Sequence, residues 1–222
     1  MCGRFTLFGP PESLQEEFDL ATLPILDERY NIAPTQDVFA IIQAEHKRRA
    51  GYLKWGLIPS WSKDATFCHK LINARAETID SKPSFKRAFE RRRCIIPASG
   101  FYEWMKLDEG KQPHFIFPTT MNFFAFAGLW EKWIDEQNHP TYSCTIITTE
   151  SNELMAPLHH RMPVILSKDS YSTWLDSNTE IEHVRDLLLP FPSEQMETRP
   201  VSTIVNSTRN ETDECIAPFS GS

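Results

Sequence analysis

The chain has 222 residues, of which 41% are hydrophobic and 24% charged, as in an ordinary soluble globular domain. Its net charge of −7 is uneven: residues 1–110 carry 16 basic and 15 acidic side chains, whereas residues 111–222 carry 7 and 15, so a basic groove for nucleic acid is not excluded. No apolar run approaches the roughly 20 residues of a membrane span, and acidic residues at 12–19 argue against a leader peptide, so we expect a cytoplasmic protein without membrane association.

The predicted elements alternate along the chain. An amphipathic helix is predicted at 11–19, where Pro11 stands near the start and Leu14 and Phe18 are four residues apart. Short runs rich in β-branched or aromatic residues predict strands at 37–44, 51–56, 93–98, 113–117, 122–130 and 142–149. Further helices are predicted at 82–92, 168–176 and 180–189.

Several of these strands follow one another without an intervening helix, which predicts the α+β class. We expect a largely antiparallel sheet curled into a barrel-like core, with peripheral helices. The sequence shows no repeat or linker, so we expect one domain over residues 1–222, monomeric, with residues 211–222 as a loose C-terminal tail. The basic run at 86–93, considered alone, indicates the solvated face of a helix.

Cys2 follows Met1 directly, so removal of Met1 alone would create an N-terminal 1,2-aminothiol. An α-amine titrates near ~7.7 to 8.0 and a thiol near ~8.5, so both are partly nucleophilic at neutral pH. An aldehyde would react twice, first with the amine to form an imine and then with the thiolate to close a thiazolidine. The alternative is that Cys2 is an inert small hydrophobic residue. The five scattered cysteines show no Cys-x-x-Cys spacing, which indicates reduced thiols and neither a disulfide framework nor a zinc knuckle.

Three polar residues lie inside or beside predicted strands. Glu103 stands between aromatic residues that would desolvate a carboxylate and raise its pKa toward the range useful for proton transfer. Asn73 and His159 are the other two. Each has a structural alternative: Asn73 as a turn cap, Glu103 as the partner of a buried arginine, and His159 as a satisfied surface histidine.

Seven motifs in order along the chain resemble those of the SOS-response-associated peptidase (SRAP) family, and together they span essentially its whole length. They are Met1-Cys2-Gly3-Arg4-Phe5, Tyr30-Asn31-Ile32-Ala33-Pro34-Thr35, Trp55-Gly56-Leu57-Ile58-Pro59-Ser60-Trp61, Asn73-Ala74-Arg75-Ala76-Glu77, Gly100-Phe101-Tyr102-Glu103-Trp104, His159-His160-Arg161-Met162-Pro163 and Pro200-Val201-Ser202. Any one of these motifs is weakly specific, whereas the ordered set is not expected by chance.

The resemblance implies a DNA-damage protein that covalently traps abasic sites, mainly in single-stranded DNA, as a thiazolidine on the N-terminal cysteine. It implies that Cys2 is the nucleophile, that Asn73 positions the N-terminal residue, and that Glu103 handles protons around the amine. His159 would assist opening of the sugar ring, because the family histidine stands four residues before a proline, here Pro163. The position after that histidine is usually acidic in the family, so His160 is a departure.

The same resemblance implies a DNA-binding surface. Arg4, Arg75 and Arg161 match phosphate-binding positions, and Asn31, Pro34, Trp61 and Thr148 match the surface that receives the DNA backbone and splayed bases. Stacking on Trp61 or Pro34 would favour unpaired strands. The chemistry calls for two proton carriers and for no metal or organic cofactor.

Two other functions remain open from the sequence. One is a cysteine peptidase, as the family name suggests, using Cys2, Glu103 and His159 and acting once to release Met1. The other is a non-covalent single-stranded-DNA-binding module, which basic and aromatic residues alone would satisfy. An imine without the neighbouring thiol would instead lead to lyase-like β-elimination of the DNA strand.

Overall fold

The computed structural model describes residues 2–45 and 47–219. Its strands are β1 Phe5–Leu7, β2 Arg29–Ile32, β3 Asp37–Ala44, β4 Lys47–Trp55, β5 Asn73–Arg75, β6 Arg93–Ala98, β7 Gly100–Lys106, β8 Lys111–Pro118, β9 Phe124–Ile134, β10 Pro140–Glu150, β11 Arg161–Pro163 and β12 Met196–Pro200. Its α-helices are α1 Pro11–Phe18, α2 Lys86–Arg91, α3 Tyr171–Leu175 and α4 Ile181–Arg185. Within these ranges, no helix combines the length and apolar character needed to cross a membrane.

Five strands form a closed barrel in the order β10, β4, β3, β6 and β9, with β9 pairing again with β10. The β4–β10 pairing is parallel and the other four are antiparallel. Two short strands extend β10 toward its end, β5 in parallel at residues 146–148 and β11 antiparallel at residues 148–150. The α+β class with an antiparallel, barrel-like core is therefore confirmed.

A second, antiparallel sheet in the order β12-β8-β7-β1-β2 packs against the barrel. Strand β7 alternates between two buried environments, because successive side chains of a strand point to opposite faces. Phe101 contacts Phe124 and Phe126 of the barrel, whereas Tyr102 contacts Phe115 in a small core under the C-terminal segment. Glu103 shares the face of Phe101 and is therefore directed toward the barrel.

Glycines allow two close approaches that the fold requires. A Cβ on Gly100, where β7 meets β1, would lie 2.4 Å from the Phe115 ring and 2.6 Å from the Ile116 carbonyl oxygen. Gly56, which follows β4, has a φ of +130°, and a Cβ there would lie 2.3 Å from the Cys68 carbonyl oxygen. Both positions are closed to larger residues.

Several predicted boundaries differ from the structure. The helix predicted at 82–92 is confined to α2, because Pro83 has no N–H and the Lys82 carbonyl accepts from Phe85 and Lys86 in a turn before the helix. The helix predicted at 180–189 ends at Arg185, and the one predicted at 168–176 begins with a 3-10 turn, Lys168–Ser170, before α3. The strand predicted at 51–56 begins four residues earlier.

The predicted loose tail is wrong for residues 211–219. The Glu211 carboxylate accepts hydrogen bonds from the backbone N–H groups of Tyr30 and Asn31, each at 2.6 Å, and pairs with Arg29 at 3.0 Å. Cys215 is completely buried in the small core. Composition suggested a tail because the anchoring partners lie about 180 residues away in sequence. The remainder of the prediction, residues 220–222, lies outside the described residues.

Candidate active site

Cys2 lies three residues before the start of β1 and is completely buried. The side-chain amide of Asn73 donates from Nδ2 to the Cys2 carbonyl oxygen at 2.8 Å. Asn73 opens β5, which pairs with β10 of the barrel, so this bond ties the segment that leads into β1 to the barrel. The buried Oδ1 atom of Asn73 has no partner among the described residues, which leaves an acceptor beside the start of the chain.

Glu103 of β7 is 5% exposed, and burial raises its pKa to about 7. Burial also raises the pKa of the Cys2 thiol far above its usual value, and the negative charge of Glu103 raises it further. The thiol is therefore protonated at neutral pH, while the carboxyl group beside it is balanced between its two forms. That balance is what a residue needs in order both to accept and to return a proton.

His159 lies on the loop before β11, and the backbone N–H of Arg161 donates to its Nδ1 at 2.6 Å. In a neutral imidazole the proton then resides on Nε2, which becomes the donor of the ring. Burial lowers the pKa of His159, so the neutral form prevails at physiological pH. The exposed His160 stacks on it with ring centroids 4.4 Å apart.

Arg161 is held by acceptors within the protein. Its Nη1 and Nη2 atoms donate to the two Glu77 carboxylate oxygens at 2.6 and 2.8 Å, and Nη2 also donates to the Thr148 carbonyl oxygen at 2.7 Å. The hydrogen bonds from Arg161 hold the pKa of Glu77 below its usual range. Arg161 is 8% exposed and Glu77 is largely at the surface.

Arg75 and Thr148 are paired in register on β5 and β10 but differ in exposure. Arg75 is exposed, so its guanidinium can meet a phosphate directly. Thr148 is completely buried, and its hydroxyl lies 3.5 Å from the Ala74 carbonyl oxygen. Thr148 contributes its backbone carbonyl to the position of Arg161.

Arg4 and Asn31 form a separate connection with the C-terminal segment. Arg4 Nη1 donates to Asn31 Oδ1 at 2.6 Å and to the Val205 carbonyl oxygen at 2.7 Å. Asn31 is completely buried, and its Nδ2 donates to the Ser207 and Asn210 carbonyl oxygens at 2.9 and 2.7 Å. The predicted contact of the Asn31 side chain with DNA stays a prediction. The hydrogen bonds show that Asn31 connects Arg4 with the C-terminal segment.

Two other predicted DNA contacts lie on loops. Pro34 follows β2 and is half-buried, next to Thr35, whose φ is +73°. Trp61 follows β4 and exposes 62% of its surface, an unusual value for so large an aromatic side chain. Its exposure leaves a face on which a base could stack.

The structure thus brings Cys2, Asn73 and Glu103 together, and links His159 to Arg161. Glu77 and Glu211 were missed as site-forming residues by sequence reasoning. Glu77 lies in a quoted motif but received no role, because its pairing with a residue 84 positions away leaves no local signal. His114 was also missed: it lies directly opposite Glu103 in the β7–β8 register.

A metal centre is not indicated by the side chains that can be assessed. Within residues 2–45 and 47–219, no group of three or more His, Cys, Asp and Glu side chains is placed to hold a metal ion.

A family model and curated relatives both connect the chain with the same family of proteins. Residues 1–208 match the family model described as SOS response associated peptidase (SRAP). The chain is 47% identical over 221 residues to the abasic site processing protein YoaM of Bacillus subtilis, covering 97% of each chain. It is 36% identical over 191 residues to the abasic site processing protein HMCES of Gallus gallus, covering 75% of this chain and 56% of that one. A crystal structure of a Bacteroides thetaiotaomicron protein superposes with a TM-score of 0.89 at 26% identity, covering 98% of this chain and 100% of that one.

Proposed function

The chain belongs to the SOS response associated peptidase (SRAP) family, and from this premise we propose that it binds single-stranded DNA and traps abasic sites covalently through Cys2. The observation that carries the proposal is the burial of Cys2 beside Asn73 and Glu103, which three separate segments of the chain bring together. Relatives named abasic site processing proteins support the substrate. We propose a single-domain monomer acting on DNA in the cytoplasm.

The proposed chemistry begins with hydrolysis of the Met1–Cys2 peptide bond, which frees the α-amine. The closed sugar of the abasic site opens to its aldehyde. The amine then adds to the aldehyde carbon and water leaves, giving an imine. The thiol sulfur finally adds to the same carbon and the nitrogen takes up a proton, which closes the thiazolidine. The condensation is redox-neutral and loses one water molecule, so no co-reactant is required.

The proton carriers suit these steps. Glu103 can accept the proton of the amine or the thiol and return it to departing water, because its pKa of about 7 permits both directions. The Nε2–H of neutral His159 can donate to the ring oxygen of the closed sugar as it opens. Asn73 fixes the carbonyl of residue 2, which orients the amine and the thiol toward one carbon.

The peptidase alternative is less well supported by the electrostatics of the site. Nucleophilic cysteines of peptidases are stabilised as thiolates by a lowered pKa. Burial and the charge of Glu103 have the opposite effect on Cys2. An uncharged thiol can add to an imine as Glu103 accepts its proton, so the trap does not need a preformed thiolate and agrees better with these electrostatics.

A denaturing gel tests the proposal. Wild-type protein with Met1 removed, as verified by intact mass, is mixed with a single strand containing one abasic site, and with the same strand without the site. We expect a heat-stable shifted band with the abasic strand and none with the intact strand. A shift seen in native gels alone would support the non-covalent module, and cleavage of peptide substrates without a crosslink would support the peptidase.

Arg75 provides a test of the DNA surface. Arg75→Ala should weaken binding of single strands of every sequence and reduce the slope of log affinity against log salt by about 0.7, the value of one phosphate contact in a single strand. Fluorescence anisotropy over a salt series measures both quantities. Arg91→Ala, which removes the same charge from the end of α2, is the matched control and should leave the slope unchanged. Equal effects of Arg75→Ala and Arg91→Ala would show that Arg75 is not a specific part of the binding surface.

The pH dependence of crosslinking should report Glu103. The rate should rise with pH through about 7 in the wild type, because the carboxylate form accepts the proton. In Glu103→Gln the rate should be lower, and its rise should move to the range of the α-amine, near ~8. Single-turnover rates between pH 5.5 and 9 measure this, and identical profiles for the two proteins would contradict the assignment.

Thermal unfolding gives a control for the same substitution. The pKa of Glu103 is raised in the folded state, so its charge destabilises the fold increasingly as pH rises from about 4.5 to about 7. Glu103→Gln removes that penalty. The difference in unfolding temperature between Glu103→Gln and the wild type should therefore grow in favour of the variant between pH 4.5 and pH 8. A folded variant that crosslinks slowly has lost activity without losing its fold.

A further inference from the structure

Three hydrogen bonds within the protein occupy both Nη atoms of the Arg161 guanidinium. Its two Nη atoms donate to both Glu77 oxygens, and Nη2 additionally donates to the Thr148 carbonyl. Its Nε is buried and has no acceptor among the described residues. A DNA phosphate therefore finds no free pair of N–H donors on this guanidinium, although paired donors are what make arginine a strong phosphate ligand.

Glu77 has the geometry of a phosphate substitute. Its two oxygens receive the two Nη donors in the bidentate arrangement that phosphate oxygens also adopt with arginine. The Glu77 side chain is 45% exposed, whereas that of Arg161 is 10% exposed, so the carboxylate is the partner free to leave.

The surroundings leave room for this movement. Glu77 lines a surface hollow of about 340 Å³. Arg185 lines the same hollow and offers a second cation, although it is paired there with Asp80. The acidic Glu150 also lines the hollow, in register with Arg161 across β10 and β11.

We propose that the Glu77 carboxylate occupies the place of a DNA phosphate on Arg161 and that single-stranded DNA binds by displacing it. This inference rests on the proposed function. Glu77 then influences DNA affinity in two ways. It holds the Arg161 guanidinium in the orientation that a phosphate would need, and it lowers the free energy that DNA gains by binding there. A phosphate that binds Arg161 must first break the Arg161–Glu77 ion pair. The net free energy gained at this position is therefore small, and nucleic acid that makes few other contacts with the protein should bind poorly.

The exchange has a consequence for salt dependence. Binding a phosphate to a free cation releases condensed counterions from DNA, and each such contact steepens the salt dependence. When a phosphate replaces a carboxylate, the released carboxylate attracts a cation from solution and offsets part of that gain. The wild type should therefore show a shallower slope than a protein in which residue 77 is neutral.

Glu77→Gln tests the exchange with undamaged single-stranded DNA, which binds without crosslinking. We expect affinity to increase about three- to tenfold at low salt, on the scale of one partly exposed ion pair. The salt slope should steepen by up to about 0.7. Glu150→Gln removes the same charge from the same hollow, at a strand neighbour of Arg161 that forms no ion pair with its guanidinium within the described residues, and should change neither quantity appreciably. Equal gains in the two variants would show general charge repulsion and overturn the proposal.

The dependence on Arg161 gives the decisive comparison. In an Arg161→Ala background, Glu77→Gln should give no gain in affinity, because there is no guanidinium to release. Unchanged or weaker binding by folded Glu77→Gln in the otherwise wild-type protein overturns the exchange. Should that variant unfold, Glu77→Asp retains the charge with a shorter reach, and should bind DNA more tightly than the wild type through a weakened bidentate pair; no gain there overturns the proposal.

The same experiment separates this inference from the proposed function. If the wild type binds single strands and crosslinks abasic DNA but Glu77→Gln shows no gain, the exchange alone is wrong. If the wild type fails to bind single strands at any salt concentration, the proposed function is wrong, and the exchange fails with it.

Discussion

Cys2→Ala should abolish the heat-stable adduct with abasic DNA, because an amine without a neighbouring thiol stops at the imine. The mutant, with a free N-terminal Ala, should still form an imine that borohydride can trap. That imine can lose the 3′ phosphate by β-elimination, so the mutant should nick the strand that the wild type protects. Heated denaturing gels, run with and without prior reduction, distinguish a stable adduct, a trapped imine and a nicked strand.

A matched thiol provides the control for this prediction. Cys68 is a half-exposed cysteine outside the predicted catalytic set, and Cys68→Ala should crosslink at the wild-type rate. A heat-stable crosslink formed by Cys2→Ala without reductant would show that the thiazolidine assignment is wrong. Loss of the adduct in both variants would point to a general effect of thiol content.

His159→Ala should slow crosslinking by about 10² to 10⁴, the usual loss when a general acid or base is removed. The Arg161 backbone N–H fixes the tautomer of His159, so that Nε2 is the donor of the neutral ring and is available to protonate the sugar oxygen in the proposed mechanism. Some reaction should remain through the small fraction of sugar that is already open. Single-turnover rates at saturating DNA separate this effect from binding.

His160 is the internal control, since it is exposed and stacks on His159. His160→Ala should crosslink at nearly the wild-type rate. A strand carrying an acyclic aldehyde in place of the sugar should react equally fast with His159→Ala and the wild type, because no ring has to open. If His160→Ala is the slow variant and His159→Ala is normal, the histidine assignment is off by one residue.

The sequence predicted well the helices and strands that are marked by several neighbouring residues, such as α1, β3 and β6. Helix α1 ends within one residue of its predicted limit, because Leu14 and Phe18 both bury one helix face and Pro11 suits the first turn. Strands β3 and β6 match their predicted bounds as buried runs of β-branched residues. Strands β1, β5 and β11 have three residues each, too few for a periodic signal, and exist because distant strands pair with them.

The candidate site divides in the same way. Motifs identified Cys2, Asn73 and Glu103, and the structure brings these three together. Motifs could not show that Asn31 is buried by carbonyl groups more than 170 residues away, nor that Arg161 is held by Glu77. Partnership between distant residues depends on the folded topology, which no window of sequence contains.

The bond between Arg4 and Val205 sets an order of events during synthesis. Its two residues are 201 positions apart, so at about 5–20 residues per second the ribosome adds Val205 roughly 10–40 s after Arg4. During that interval the Arg4 side chain lacks the Val205 carbonyl, one of its acceptors in the finished fold. Cys2 is completely buried in the folded protein, so an aminopeptidase is expected to act on the growing chain more readily than on the finished fold. We therefore expect the release of Met1 that the proposed chemistry requires to take place during translation, before the two ends of the chain have assembled.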